Sequence, residues 1–573
     1  MKPALVLLLL LATAPAATGA AQASRAAALR PDSAAVLREA RHAQRAFENE
    51  RRARLRLDLD DGRGPCDVHI GRFCYWYRPR EEPPEPEPDA VGRGRMLLLL
   101  TLDDAAARLP GDDWIAGQRV RYFAEHGWAD SGVAAARECR GTRWWCAALE
   151  GFARHAAADY AGADSGFARA LSAMPDAERC EWSDLSPLLA DADARRYAGL
   201  ACDERGPAND RIWWLARPFY SIAGHDLRTE HYSRVTMTRM LRHASSPHDL
   251  AWGDDLTQLV VRFGWPTHWT RPFGTPGRIE EPAALGHEPS PSFWFFAEPS
   301  LPPDTLDGEP WREPTWDPLR ERPSSRYAPA YARVFGVIRA AQVARFRRDA
   351  GFLTIAGFDL RGDTAFTGAE PKVALAVARD PATPPVVGPA LFPRSTGIIA
   401  VTSPWAPRIV SLEARVDQER RAARLRALAD EPAEWLSDIL LFVPGEELPE
   451  SLGVALPLSV RANDVPEGGR VGLFWETYGE PAADSVTLEV KLVRVRGREE
   501  PRSALGRAAC APGGKAPVAV RWRDAAAPVG LRPRAVVADL SALEPGRYVV
   551  AVSVHPDGSR RACASRDLEV LPR

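Results

Sequence analysis

Lysine is nearly missing from the sequence, and charge of neither sign dominates it. Lysine occurs only at Lys2, Lys372, Lys491 and Lys515, so arginine supplies almost all of the 74 basic side chains, which 76 acidic ones balance. The net charge of −2 gives no reason to expect nucleic acid or an anionic membrane as a partner. We therefore predict that the chain binds no nucleic acid.

The motifs of familiar enzymes are also missing. The sequence contains no GxSxG nucleophile elbow, no GxxxxGK[ST] phosphate loop, no HExxH helix and no CxxCH haem-attachment site. The prediction is a protein without catalytic activity and without a cofactor.

Long hydrophobic runs are confined to the N-terminus. Lys2 precedes an apolar run over residues 4–12, and small residues over 14–23 offer cleavage points, which is the anatomy of an export signal. The apolar run over 96–102 is far shorter than the roughly 20 residues that cross a bilayer. We predict a signal peptide over residues 1–23 and a soluble mature chain without a transmembrane segment, located in the periplasm or outside the cell.

Cysteine is scarce, and the eight cysteines fall into pairs that are close together in the sequence. The nearest-neighbour couples are Cys66 with Cys74, Cys139 with Cys146, Cys180 with Cys202, and Cys510 with Cys563. Eight cysteines allow about 105 connectivities, and sequence alone does not select one. A zinc site is the alternative, but no CxxC or HxxxH spacing supports it. We favour four nearest-neighbour disulfides, formed in an oxidising compartment.

A repeat with an offset of 34 positions occupies the first half of the chain. Residues 129–136 recur at 163–170, and Gly117 maps onto Gly151. This period is typical of tetratricopeptide repeats, in which small residues let paired helices approach closely. The residues that carry the pattern are Gly117, Ala129, Ala136, Gly151, Ala163, Phe167, Ala170 and the terminating Pro175. Because two repeats are few for independent stability, we expect the array to pack on its neighbours.

Residues 211–269 are helical in pattern and rich in tryptophan. A charged helical segment is followed by a tryptophan–aspartate turn and then by a glycine–proline stop. The residues concerned are Arg228, Glu230, Arg234, Trp252, Asp255, Gly264 and Pro266. Over about 60 to 70 residues this stretch resembles the bacterial GWxTD domain family, whose role is not established. Ala251 stands for the motif's glycine and Asp254 for its threonine, and the resemblance implies no reaction. We predict that the stretch joins the helical half to the β half.

Acidic and imidazole side chains gather in the same stretch, at His225, Asp226, Glu230, His231, Asp254 and Asp255. They could converge on a metal if the helix folds back on the Trp252 turn, which would indicate a metal-assisted hydrolase. His225 and His231 lie six positions apart, however, and therefore on different helical faces. Asp226 and Asp255 stand where helix caps belong. We prefer capping and pairing with Arg211, Arg228 and Arg234, with no metal bound.

Adjacent aromatic residues suggest a second alternative, a glycan-binding envelope protein. They are Tyr75, Trp76 and Tyr77, then Trp144 and Trp145, then Trp213 and Trp214. Exposed, coplanar rings would favour glycan binding, and buried rings would exclude it.

Beyond residue 331 the apolar period changes from 3.6 to 2, which predicts strands. Strands are expected at 342–346, 352–360, 373–378, 397–402, 408–416, 438–443, 471–475 and 485–495, and a short helix or crossover at 419–428. Tyr548 follows a turn, as in immunoglobulin-like domains, where such a tyrosine bonds back to the backbone.

The predicted fold class is a multidomain α+β protein, with an all-α helical repeat region followed by two antiparallel, immunoglobulin-like β-sandwiches. The predicted divisions after the signal are 24–90 (helix, cysteine knot and Pro/Glu linker), 91–203 (repeats), 204–270 (GWxTD-like module), 271–330 (proline-rich loop), 331–450 and 451–573 (the two sandwiches). The predicted function is protein–protein interaction or assembly at the cell envelope, with protein partners of unknown identity.

Overall fold

The computed structural model describes the chain in segments. These are residues 33–54, 58–60, 68–76, 86–189, 195, 197–248, 250–265, 268–272, 284–286, 334–388, 394–417, 421–428, 435–466, 468–479, 485–495, 510, 516, 518–525, 530–556 and 561–572. A helical region comes first, and β-sheets make up the C-terminal half.

The first half of the chain contains ten α-helices and five short strands among its described residues. The helices are α1 Ser33–Arg54, α2 Asp89–Arg108, α3 Asp113–Glu125, α4 Ala129–Glu138, α5 Arg143–Ala156, α6 Tyr160–Ala173, α7 Asp176–Trp182, α8 Arg205–Ala216, α9 Asp226–Arg242 and α10 Asp254–Phe263. The strands are β1 Asp58–Asp60, β2 Val68–Ile70, β3 Phe73–Trp76, β4 His268–Pro272 and β5 Ala284–Gly286.

Helix α1 packs on the helices that follow the Pro/Glu linker. Val36, Ala40 and Phe47 share one core with Leu98 and Leu102 of α2. Beneath them Glu48 accepts a hydrogen bond from the Arg121 guanidinium of α3 at 2.9 Å, and both side chains are buried. The Pro/Glu linker therefore separates, along the sequence, helices that belong to one core.

The 34-residue repeat corresponds to two successive helix pairs, α3 with α4 and α5 with α6. Gly117 and Gly151 lie in the first helix of each pair, and Ala136 and Ala170 are buried in the second. Helix α6 ends at Ala173, and Pro175 directly precedes α7. As expected for so few repeats, the pairs do not stand alone, because Tyr232 and Met240 of α9 complete their core.

The crossing of α5 and α6 depends on two glycines. A Cβ atom on Gly166 would lie 2.9 Å from the backbone of Gly151, and one on Gly151 would lie 2.9 Å from the ring of Phe167. Real Cβ atoms do not approach backbone this closely. The spacing between the two helices therefore requires hydrogen in place of a side chain.

Three of the predicted cysteine pairs are in bonding geometry. The Cα atoms of Cys139 and Cys146 lie 5.6 Å apart, those of Cys180 and Cys202 5.6 Å, and those of Cys510 and Cys563 5.9 Å. The first pair joins the end of α4 to α5, between the two repeats. Cys66 of the fourth predicted pair lies outside the described residues.

A small mixed sheet joins two distant parts of the chain, in the strand order β1-β4-β5-β3-β2. Asp58 aligns with Thr270, and Cys74 aligns with Ala284, both in parallel register. The sequence pattern predicted a cysteine knot in the region of β2 and β3, and a proline-rich loop in the region of β5. Their strand pairing links residues more than 200 positions apart, which a local pattern cannot reveal.

The second half of the chain contains sixteen strands and one α-helix among its described residues. The strands are β6 Val334–Val337, β7 Ala341–Arg348, β8 Gly351–Asp359, β9 Lys372–Ala378, β10 Val386–Val387, β11 Thr396–Ser403, β12 Ile409–Val416, β13 Arg421–Leu428, β14 Leu440–Phe442, β15 Asp464–Pro466, β16 Arg470–Tyr478, β17 Ser485–Arg494, β18 Val518–Ala525, β19 Leu531–Asp539, β20 Gly546–Pro556 and β21 Ala562–Leu571. The helix is α11, Leu452–Leu458.

These strands form four sheets, and each sheet shares a hydrophobic core with the next one. The orders are β10-β9-β12-β13-β6, β11-β8-β7, β14-β16-β19 and β15-β21-β20-β17-β18. One core lies between the first two sheets, another between the last two, and a third joins Phe346 of β7 to Phe442 and Phe474. Each successive pair of sheets therefore buries apolar side chains between its members.

Two expectations for this half are wrong in detail. Residues 421–428, expected as a helix or crossover, form β13, because their backbone pairs with β12 over eight positions. Both five-stranded sheets also carry one parallel edge strand, β6 against β13 and β15 against β21, so these sheets are not purely antiparallel. Within the described ranges, no helix combines the length and apolarity that crossing a membrane requires.

The glycine contact between α5 and α6 gives a first prediction. Gly166→Ala places a methyl group against the backbone of Gly151, and we expect the free energy of unfolding to fall by about 1–3 kcal/mol. The matched control is Gly206→Ala in α8, where a Cβ meets nothing within 4 Å. The control should be neutral or stabilising by up to about 1 kcal/mol. Guanidinium denaturation followed by circular dichroism measures both, and equal midpoints for the two variants would contradict the close crossing.

Candidate functional site

Helix α9 begins at a histidine cap. Nδ1 of His225 accepts a hydrogen bond from the amide of Arg228 at 3.1 Å, and Nε2 lies 2.5 Å from the carbonyl oxygen of Trp213. Burial, with the nearby Arg228 and Arg217, holds the pKa of His225 well below its usual range. The cap is therefore a neutral imidazole, and the prediction that Asp226 is the cap is wrong.

Asp226, the first residue of α9, is a buried carboxyl without a hydrogen bond. It is 2% exposed, and neither oxygen has a partner within the described part of the chain. Burial raises its pKa to about 7, although Arg217 and His155 act in the opposite direction. The raised pKa favours the protonated form of this side chain up to about neutral pH.

Arg228 and Glu230 of α9 are bound to neighbouring helices. Asp164 of α6 accepts two hydrogen bonds from Arg228, at 3.0 and 2.9 Å. Glu230 lies 2.7 Å from Nε2 of His155 and accepts a hydrogen bond from Arg234 at 2.5 Å. Although burial opposes ionisation, Arg234 and His155 hold the pKa of Glu230 well below its usual range. These contacts fasten α9 to the repeat pairs.

His231 lies against aromatic rings. It is fully buried, with its ring centroid 5.4 Å from that of Trp213 and 5.3 Å from that of Tyr232. Burial, followed by the charge of Arg234, lowers its pKa to about 3. His231 is therefore an uncharged core residue at physiological pH.

The tryptophan–aspartate turn holds the small sheet against α10. Asp255 accepts hydrogen bonds from Nε and Nη2 of Arg72 at 2.7 and 3.0 Å, and these bonds lower its pKa to about 2. Nε1 of Trp252 donates to the hydroxyl of Thr257 at 2.9 Å. Gly264 ends α10 with a φ of 81°, and Pro266 lies outside the described residues. The N-cap of α10 is Gly253, so Asp255 is not the cap either.

The six proposed metal ligands therefore have separate roles. Asp254 is exposed in the first turn of α10, and the other five are buried or bound to the different partners described above. Among the described residues, no three histidine, cysteine or acidic side chains stand together in a way that could hold a metal ion. The condition stated for a metal-assisted hydrolase is not met.

The paired tryptophans are buried. Trp144, Trp145, Trp213 and Trp214 are exposed by 7% or less. The guanidinium of Arg239 lies over both rings of the first pair, at 4.6 and 5.0 Å from their centroids. The side chains of Tyr75, Trp76 and Tyr77 lie outside the described residues. The four described rings do not provide the exposed platform that glycan binding needs.

The turn between α8 and α9 docks on the sheet β10-β9-β12-β13-β6. Glu413 of β12 accepts hydrogen bonds from the amides of Tyr220 and Ser221 at 2.7 and 2.9 Å. Its cross-strand partner Arg424 donates to the carbonyls of Arg217 and Pro218 at 3.0 and 2.9 Å. Trp214 and Tyr220 pack on the apolar side chains of the same sheet face. The central stretch is thus in direct contact with both halves, as the sequence analysis predicted.

A cleft of about 1140 Å³ lies between residues 336–365 and residues 460–464. Its charged lining consists of Arg339, Arg361, Arg461, Asp359, Asp363 and Asp464. Asp359 pairs with Arg361, and Asp363 accepts from the amide of Ala365 at 2.9 Å. The charged lining of the cleft has equal numbers of acidic and basic side chains.

Helix α2 carries an exposed apolar stripe. Leu97 is 67% exposed, Leu100 66% and Met96 45%, whereas Leu98 and Leu102 on the opposite face are buried. We define the α2 stripe as Met96, Leu97 and Leu100. The length of the apolar run over 96–102 indicated only that it is too short to cross a membrane. With a helical period of 3.6, Leu97 and Leu100 fall on one face of this run, and Leu98 and Leu102 fall on another. A packed helix needs one apolar face, so the second face is the sequence signal for the α2 stripe.

Comparisons with known proteins give no family. No family model matches the chain, and no curated protein matches it. Among solved structures the chain is similar to the crystal structure of red sea bream transglutaminase, at 10% identity and a TM-score of 0.14. The match covers 41% of this chain and 32% of that one, so the chain spans about a third of the transglutaminase. A likeness this low carries no argument about fold or function.

The charged contact with the sheet gives a second prediction. Glu413→Ala leaves the amides of Tyr220 and Ser221 buried without an acceptor, and we expect a loss of about 2–4 kcal/mol in the free energy of unfolding. Hydrogen exchange of residues 217–222 should become faster. Glu413→Gln keeps one acceptor and should lose less. Glu569→Ala, at an exposed strand position, is the matched control. Unchanged exchange in Glu413→Ala would contradict this role.

Asp226 gives a third prediction, on pH. Its pKa rises from 3.8 to about 7 on folding, so the unfolded chain releases the proton first as pH rises. The free energy of unfolding therefore falls between about pH 4 and pH 7. Asp226→Asn removes this loss and should be more stable than the parent at pH 7, by up to about 4 kcal/mol, with no advantage near pH 4.

Denaturation at several pH values measures this difference. Asp254→Asn is the control, because it changes an exposed carboxylate at the same kind of helix position and should alter stability by less than about 1 kcal/mol. The same pH slope in Asp226→Asn and the parent would show that Asp226 does not titrate in the interior.

Proposed function

We propose that the chain is an exported, non-catalytic protein of the cell envelope that acts in protein–protein interaction or assembly. The α2 stripe is the observation that carries this proposal. Two leucines about two-thirds exposed, beside a third apolar side chain on one helix, form a contiguous apolar surface. Such surfaces on helices typically contact another protein.

Export is supported by the sequence and by the cysteines. A basic residue, an apolar run and small residues precede position 24, as in a signal peptide. Three described cysteine pairs lie in disulfide geometry, and disulfides persist in the periplasm and outside the cell rather than in the cytosol.

The finer architecture in this proposal has three parts. Helices α3 to α6 act as tetratricopeptide-like pairs, and residues 204–270 form a GWxTD-like module. The sheets form two immunoglobulin-like β-sandwiches, each around one shared core. The hydroxyl of Tyr548 donates to the carbonyl of Glu544 at 2.8 Å, which supports the immunoglobulin-like assignment. Repeat helices present contact surfaces and sandwiches act as docking modules or spacers.

The fourth prediction tests this function with purified mature protein. Mass spectrometry of its first peptide should place the N-terminus near residue 24. Immobilised protein should retain other envelope proteins from an extract, and the double variant Leu97→Glu with Leu100→Glu should lose them. Leu448→Glu is the matched control, because this leucine is 49% exposed in a different region. Retention of the same proteins by the stripe variant, or of no protein by the parent, would contradict the proposal.

A further inference from the structure

We infer that the α2 stripe pairs with the α2 stripe of a second copy of this chain, in antiparallel orientation. The inference rests on the proposed function, because it assigns a partner to the surface that carries that function. It adds an orientation and a register, which the exposed apolar surface alone does not supply.

The stripe lies within a longer row of exposed residues on α2. Arg93, Leu97, Leu100 and Asp104 follow one another at spacings of four, three and four positions. At about 100° per residue these positions stay within roughly 60° of one another around the helix. The buried positions of α2, such as Leu98 and Leu102, lie on the opposite side. The row is therefore one straight face that points away from the core.

The charges at the ends of the row make it self-complementary. If Leu97 of one copy lies opposite Leu100 of the other, Arg93 lies opposite Asp104, because both charges stand four positions outside the leucines. A two-fold axis repeats this contact, so the pair of helices gains two ion pairs and two leucine contacts. A parallel arrangement would place Arg93 beside Arg93 and Asp104 beside Asp104. Charge thus selects the antiparallel orientation.

Both charges are available for such a contact. Arg93 is an exposed side chain in the second turn of α2. Asp104 lies 3.2 Å from Arg108 in the same helix, and its side chain remains 67% exposed. An ion pair between exposed neighbours contributes little, so it does not prevent Asp104 from meeting a second cation.

The apolar surface extends beyond α2 toward one end of the stripe. The ring of His126 lies 3.9 Å from the Cβ position of Gly92, which is one helical turn before Met96. Trp128, exposed by 42%, packs edge-on against His126 at 4.1 Å between ring centroids. This aromatic pair lies beside the helical turn that precedes Met96, where it would enlarge the area that a second copy covers.

A lipid surface fits the same face less well. Asp104 lies at one end of the row, and carboxylates are repelled by anionic headgroups. The exposed apolar side chains are few, so burial of this face alone predicts a weak dimer that forms at high protein concentration.

The fifth prediction is the concentration dependence of sedimentation by the purified mature chain. The parent should shift from monomer toward dimer as concentration rises. The double variant Leu97→Glu with Leu100→Glu should stay monomeric, whereas Leu448→Glu should behave as the parent. Circular dichroism checks that each variant is folded.

Charge exchange tests the register. Arg93→Glu alone and Asp104→Arg alone place like charges opposite each other and should weaken dimerisation by about tenfold each. The combined variant Arg93→Glu with Asp104→Arg restores opposite charges across the two-fold axis and should recover most of the parental affinity. A parent that stays monomeric, or a combined variant no better than the single ones, would overturn the inference.

Self-association and retention of envelope proteins are separate measurements. A monomeric parent that still retains envelope proteins through the α2 stripe overturns the second-copy inference and leaves the proposed function standing. A dimer that retains no other envelope protein supports the inference and contradicts the proposed function.

Discussion

A buried pair of opposite charges holds the helical region against the β region. Glu413 and Arg424 are cross-strand partners on one sheet face, and both are nearly inaccessible to solvent. Burying charges is costly unless hydrogen bonds satisfy them, and here the backbone of residues 217–221 supplies two donors and two acceptors. Because this turn connects α8 to α9, the position of both helices on the sheet depends on the charge pair.

Charged side chains elsewhere in the central stretch also join separate elements. Arg228 reaches Asp164 of α6, Glu230 reaches His155 of α5, and Arg72 of the small sheet reaches Asp255 of α10. Each carboxylate is therefore occupied by a partner that orders a neighbouring helix or strand. Such contacts give these acidic and histidine residues separate structural roles, and in the described part of the chain no three of them stand together in a way that could hold a metal ion.

Local sequence patterns predicted much of the secondary structure. Alternating apolar residues located β7, β8, β9, β11 and β12, and the 34-residue offset located two helix pairs. The failures occurred where pairing overrides local preference. Residues 421–428 are rich in alanine and arginine, which favour helices, yet they lie between two strands whose backbone groups they satisfy. At His225, a histidine took the capping role expected of an aspartate, because the carbonyl of Trp213 orients its ring.

The sequence by itself determined features that depend on residues close together in the chain. These are the helix and strand periods and the glycines that let α5 and α6 approach. Only the tertiary structure decided which side chains are buried and which strands pair, since those depend on contacts such as Tyr220 with Glu413, 193 positions apart, and Arg72 with Asp255, 183 apart. The same long-range packing buries Asp226 and the paired tryptophans while leaving Leu97 and Leu100 in solvent. Burial is a property of neighbours in space, and local sequence does not specify them.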